Sequence, residues 1–197
     1  MQNVGKEEKF FSTGMSRHVL FNALNSAIVL CRRNPREASN VLGSLSQCLL
    51  YTSGKPVDEL VPLSAELNFA KSYLHIQSVR FGKRLNIKYD IPEKPGFLPA
   101  FTLQPLLDNV FQHVMLRTRE KVTLTIKVVR KGAETLVIVE DNQVGMEPTK
   151  LENFWDMYQG RSLHVLNTTM LKNGLPELEI NSRKGKGTSI TVRARVL

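Results

Sequence analysis

Along the first quarter of the chain the apolar positions recur with the period of a helix. Phe21, Leu24, Ile28 and Cys31 fall at i, i+3, i+7 and i+10 and predict a helix over 7–33. Asn34-Pro35 breaks it, and the same dipeptide suits the cap and first position of a second helix, whose stripe is Val41, Leu45 and Cys48. So short a connection makes the two helices antiparallel neighbours. A lone hairpin has too little surface to bury both stripes, which predicts a homodimer in which two hairpins form a four-helix bundle.

Beyond this the pattern changes. YTSGKPVDELVP, with Gly54, Pro56 and Pro62, reads as a linker, and Ser64 opens a helix through Phe81. RLNIKYDI alternates like a strand, and Leu103 to Leu116 is apolar at helical spacing. VTLTIKVV and TLVIVED are alternating runs joined by a glycine-containing loop, the mark of a hairpin. A helix over 162–172 and two strands, LEINS and TSITVRARV, follow. The expected class is α+β, with a dimerising helical hairpin over 1–54, a linker over 55–63, and a mixed sheet covered by helices over 64–197.

Composition narrows the function. With 197 residues, 42% of them hydrophobic, the chain can bury a real core. It has no run of about 18 apolar residues, so the expectation is a cytoplasmic chain that meets a membrane only through a sensor segment upstream. Cys31 and Cys48 lack CxxC spacing, which points to a reducing compartment and away from structural zinc. The net charge of +9 invites a nucleic-acid reading, but the basic excess is spread out: 7 against 5 in residues 1–60, 8 against 5 in 61–120, 12 against 8 in 121–197. A phosphate-tracking surface concentrates its charge, so nucleic acid is not an expected partner.

Four segments carry candidate chemistry: His18-Val19-Leu20-Phe21-Asn22-Ala23-Leu24-Asn25; Gln104-Pro105-Leu106-Leu107-Asp108-Asn109 with His113; Asp141-Asn142-Gln143-Val144-Gly145; and Gly185-Lys186-Gly187-Thr188. Their order and spacing resemble the LytS-like sensor histidine kinases, whose core reads PHFLFNALN, QPLVENAxxH, DNGxG, GxGL and a final GT. The stretch LSAELNFAKSYLHIQSVRFGKRL also resembles that family's helix between motifs, with its EL, YL, IQ and RF-x-x-RL landmarks. The likeness implies a phosphotransfer hairpin followed by an ATP-binding domain of the GHKL (Bergerat) type.

The resemblance implies roles that the residue chemistry can serve. His18 is the implied phospho-acceptor, a ring nitrogen attacking the γ-phosphorus of ATP. Asn109 is the implied ligand of a nucleotide-bound Mg2+, offering an amide oxygen without adding negative charge. Asp141, at a strand end, is placed to accept from the adenine amine, with Gly145 letting the backbone approach the base. His113, Gly187 and Thr188 complete the ATP-binding set, and a response-regulator receiver domain is the implied partner.

The departures from the family fall on the same segments. Arg17 and Val19 flank His18 where the family has Pro and Phe; Gln143 replaces the first glycine of DNGxG; Ser162 stands for a lid glycine and Val165 for a lid asparagine; Gln112 and Val114 replace a lysine and a glycine. A β-carbon can obstruct backbone contact at a phosphate site, so two readings stay open: a protein histidine kinase, and a kinase-like dimeric interaction module with impaired catalysis.

Overall fold

A computed structural model describes residues 17–92, 96–116, 118–157 and 159–196, apart from the side chain of His113. Two helices open it, α1 (Arg17–Arg33) and α2 (Pro35–Thr52), so residues 7–16 of the expected first helix lie outside the described residues. Asn34 caps α2 as anticipated, its side chain accepting from the Glu37 amide at 3.1 Å, with Pro35 in the first turn.

The hairpin does not close on the large apolar residues of α1. Its inner face is Val19, Ala23 and Ala27 against Ala38, Val41, Leu45 and Cys48. Small residues let the helices approach closely, and the stripe read from the sequence is left outside: Phe21 is 60% and Ile28 69% exposed, and Leu24 and Cys31 are exposed as well.

The segment read as a linker contains a strand, β1 (Leu60–Pro62), which runs straight into α3 (Leu63–Phe81). Pro62 stands at the cap position, and Ser64 lies inside the helix and does not cap it. β2 (Leu85–Asp90) follows a 3-10 turn, Gly82–Arg84. Next come β3 (Phe97–Pro99), which pairs antiparallel with β1, and α4 (Leu103–Val110). The expected helix over 103–116 changes character after Val110, continuing as a π turn over Phe111–Met115.

The main sheet has the order β2-β4-β5-β7-β6, with β4 (Val122–Lys131), β5 (Glu134–Asp141), β6 (Glu179–Arg183) and β7 (Gly187–Ala194). β2 is parallel to β4 and all other pairs are antiparallel. Period-two alternation puts Leu124, Ile126, Val137, Val139, Ile190 and Val192 on one buried face. α3, α4 and α7 (Ser162–Lys172) cover it, and the short helices α5 (Pro148–Glu152) and α6 (Phe154–Met157) lie between β5 and α7.

One buried carboxylate ties the helices together. Glu66 on α3 is fully buried and accepts the backbone N–H groups of Phe101 and Leu103, each at 2.7 Å, and the hydroxyl of Tyr51 at the end of α2. It satisfies orphan donors at the start of α4 and holds Phe101 at φ +64°. Burial raises its pKa, opposed by these three donors.

Candidate functional site

Four of the seven sequence-named residues converge on one cavity of about 410 Å³. Asn109 reaches it from the last turn of α4, Asp141 from the end of β5, Gly145 from the following loop and Thr188 from the start of β7. Val114, Val144, Met146 and Met157 supply apolar wall of the kind that stacks on a flat ring.

The adenine-reading candidate is held by its own loop. The Gln143 N–H donates to Asp141 Oδ1 at 2.9 Å, and the Thr188 backbone also donates to this carboxylate. Asp141 is 7% exposed; burial raises its pKa, and these two donors oppose the rise.

Gly145 and Gly187 are required by the backbone itself. Both have positive φ, +62° and +96°. A Cβ on Gly145 would lie 2.1 Å from the Arg183 carbonyl oxygen, and one on Gly187 would lie 1.9 Å from that of Asp141. The two glycines therefore let the β5 loop and the β6–β7 turn pack against each other, closing one end of the cavity.

Gln143, the most conspicuous departure, does not enter the cavity. Its side chain is buried on the other side of the loop, donating to the Lys121 carbonyl at 3.0 Å and to Asn142 Oδ1 at 3.3 Å. Gln112 is exposed, and Ser162 and Val165 line a separate groove between α4 and α7. Of the substituted positions after Asn109, only Val114 faces the cavity.

Asn109 bears directly on a metal. Its Oδ1 is buried and has no hydrogen-bond partner among the described residues. An orphaned acceptor is costly, and a hard divalent cation carried in with a triphosphate is the kind of group that satisfies it. No cluster of three or more His, Cys, Asp or Glu able to hold a metal occurs among the described residues, so any cation would be shared with a ligand's oxygens.

His18 lies apart. It is exposed on the first turn of α1 and is not part of the cavity lining. Asn22, one turn on, brings its amide nitrogen to 3.2 Å from Nδ1 and 3.3 Å from Nε2 of the ring. The backbone of His113 belongs to the π turn, while its side chain lies outside the described residues.

Three cations at the cavity were not legible in the sequence: Lys150 on α5, Arg161 before α7, and Lys184 in the β6–β7 turn, the last paired with Glu147. They come from separate segments, so no local spacing announces them. They make the mouth of the cavity fit for a polyanion.

A larger, open depression of about 610 Å³, lined by Thr123, Thr125, Glu140 and Ser189, shares Asp141 and Thr188 with the cavity and is the one that Gly187 lines. It lacks Asn109 and Gly145, and the chemistry gathers in the smaller cavity.

Known proteins resemble this arrangement. The profile of the family described as "Histidine kinase" matches residues 6–85, and that of "Histidine kinase-, DNA gyrase B-, and HSP90-like ATPase" matches residues 99–196. The sensor histidine kinase YpdA of Escherichia coli (strain K12) is 32% identical over 147 residues, 74% of this chain and 26% of that protein. The sensor protein LytS of Bacillus cereus is 29% identical over 195 residues, 94% of this chain and 33% of that protein. Among solved structures, the Acinetobacter baumannii histidine kinase AdeS superposes with a TM-score of 0.53 at 12% identity, covering 96% of this chain and 90% of that one, a likeness of fold. The chain spans a quarter to a third of the length of the curated relatives it matches.

Proposed function

We propose, from the premise that the chain belongs to the histidine kinase family, that it transfers the γ-phosphoryl group of ATP to His18 and then to an aspartate on a response-regulator receiver domain. The observation that carries this reading is the buried, unpartnered Oδ1 of Asn109 in the cavity that Asp141 and Gly145 also line.

The residues divide the work. Asp141 accepts from the exocyclic amine of adenine, and its loop partners hold the carboxylate still so that little reorganisation accompanies binding. Val114 and the two methionines cover the base, while Lys150 and Arg161 attract the phosphates. Asn109 holds a nucleotide-bound Mg2+, which, when bound, neutralises phosphate charge. Asn22 keeps the His18 imidazole against the helix surface, and the ring nitrogen without a proton attacks phosphorus as the bond to the ADP oxygen breaks.

The boundaries assigned on the same reading are 1–54 for the part that carries the phosphotransfer hairpin, 55–63 for the connection and 64–197 for the ATP-binding domain. The exposed stripe of α1 supports a homodimer, since covering Phe21 and Ile28 is worth about 1.5–3 kcal/mol for each side chain. The relatives named as sensors support an upstream sensing segment and a cytoplasmic site of action; no helix among the described residues is long and apolar enough to cross a membrane. The outward position of Gln143 favours the kinase over the impaired interaction module, because the altered loop leaves the cavity open.

Incubation with γ-labelled ATP and Mg2+ tests the proposal. The expected product is an acid-labile, base-stable phosphoprotein, abolished by His18→Gln and by Asn109→Ala. A chain that binds Mg-ATP yet never labels, while its dimer still binds a receiver domain, would establish the interaction module instead.

A further inference from the structure

Between Asn109 and the end of its helix the backbone departs from α geometry. The turn over Phe111–Met115 is π-helical, and such turns concentrate at functional sites because they redirect side chains. The redirection is visible here. Residues five apart lie about 140° apart around an α-helix, yet Asn109 and Val114 line the same cavity. The π turn closes that angle.

A π turn needs support, and one side chain supplies it at both ends. Arg84 Nη2 donates to the Met115 carbonyl at 3.1 Å and to the Thr118 carbonyl, where the helix ends. Its guanidinium also lies 6.0 Å from the centre of the Phe81 ring, which stacks on Phe111, the first residue of the turn, at 5.7 Å and 5°. Arg80 caps the same ring at 4.8 Å. Arg84 therefore touches the end of the π turn directly and its beginning through Phe81. Its Nε is buried without a hydrogen-bond partner among the described residues, so the side chain meets a desolvation cost to make these contacts.

We infer that Arg84 is a positioning residue for the nucleotide cavity, acting through the π turn to set Val114 on the same wall as Asn109. The inference rests on the ATP reading for its consequence, though not for its geometry. Lysine is a poor replacement: its stem is one bond shorter than the path to Nη2, the one nitrogen that meets both carbonyls, and its ammonium has no planar fork to set beside the Phe81 ring.

The test compares Arg84→Lys with Leu74→Ala, a packing change elsewhere on α3, in the full chain. Three quantities are read: the thermal midpoint, the dissociation constant for Mg-ATP by displacement of a fluorescent analogue, and the methyl NMR shifts of Val114 without nucleotide. Arg84→Lys is expected to weaken Mg-ATP about tenfold and to move the Val114 methyls, whereas Leu74→Ala lowers the midpoint at least as far with affinity within twofold. Equal loss of affinity in both variants, or an unmoved Val114 in Arg84→Lys, overturns the inference. No Mg-ATP binding by the native chain defeats the nucleotide reading alone, and the Val114 shifts then decide whether Arg84 holds the turn.

Discussion

Tyr73 on α3 donates its phenolic hydrogen to the carboxylate of Asp108, the residue immediately before Asn109. Gln77 donates in turn to the Tyr73 oxygen at 3.0 Å, so a chain of bonds within α3 fixes the helix that carries the metal-binding candidate. Burial raises the pKa of Asp108 and drives that of Tyr73 well above its ordinary value. Tyr73→Phe keeps the ring contacts with Phe69 and Phe111 but strips the carboxylate of a donor. The expected cost is about 1–3 kcal/mol, read as a thermal midpoint lower by several degrees, with weaker Mg-ATP binding.

The two kinds of position in the β5 loop should respond oppositely to substitution. Gly145→Ala forces a Cβ onto the Arg183 carbonyl and should destabilise the chain by more than about 2 kcal/mol while abolishing nucleotide binding. Gln143→Gly, which returns the loop to the family pattern, should not improve binding, because the side chain it removes lies outside the cavity and anchors the loop to Lys121. Chemical denaturation and calorimetric titration of both variants check this. Faster labelling by Gln143→Gly would mean that the glutamine does obstruct the site.

Asp141 links function to pH. Its folded pKa is raised above the ordinary 3.8, so the folded chain binds this proton more tightly than the unfolded one. Stability from this group is therefore greatest below the unfolded value and is lost as pH rises through the folded value. Asp141→Asn lacks that loss. Its midpoint relative to the native chain should rise between pH 3 and pH 7, even as Mg-ATP affinity falls by roughly 1–3 kcal/mol. A difference independent of pH would remove the titration argument.

The outward stripe of α1 should govern assembly. Light scattering is expected to give a dimer, and Leu24→Asp or Phe21→Asp a monomer that keeps its helical content. A native chain that stays monomeric at tens of micromolar would end the bundle model.

The two thiols should differ sharply in reactivity. Burial pushes Cys48 up to about 12, whereas Cys31 is exposed. Alkylation at pH 8 should spare Cys48 until the chain is unfolded, and should reach Cys31 faster in the monomeric Leu24→Asp chain than in the dimer, as intact mass would report.

Legibility followed the strength of each local signal. α7, β6 and β7 were readable because a clear period ends at Gly174, at the Gly185 turn or at a polar break. β1 and β3 were not, since three residues each, both ending in proline, carry no period. The π turn was hidden because Val110, Phe111, Val114 and Met115 fit α spacing equally well. Nothing local in the sequence marks Glu66 for burial; only the amides of Phe101 and Leu103, distant in sequence, explain it. On α1 the face that packs within the hairpin was not legible, because large apolar residues outweigh alanines in any periodicity count, while close helix packing selects the alanines. In the site, Asn109, Asp141, Gly145 and Thr188 stood in short motifs, but the cations Lys150, Arg161 and Lys184 meet only in three dimensions.

The order of strands has a consequence for synthesis. β7 is inserted between β5 and β6, so the edge strand made earlier has no neighbour until the later one arrives. It is β7 that brings Gly187 onto the Asp141 carbonyl and Thr188 to its carboxylate. A nascent chain that has emerged only as far as Arg183 therefore holds Asn109 and Asp141 but no closed cavity. Under the proposed function, nucleotide capture would therefore wait for β7 to be in place.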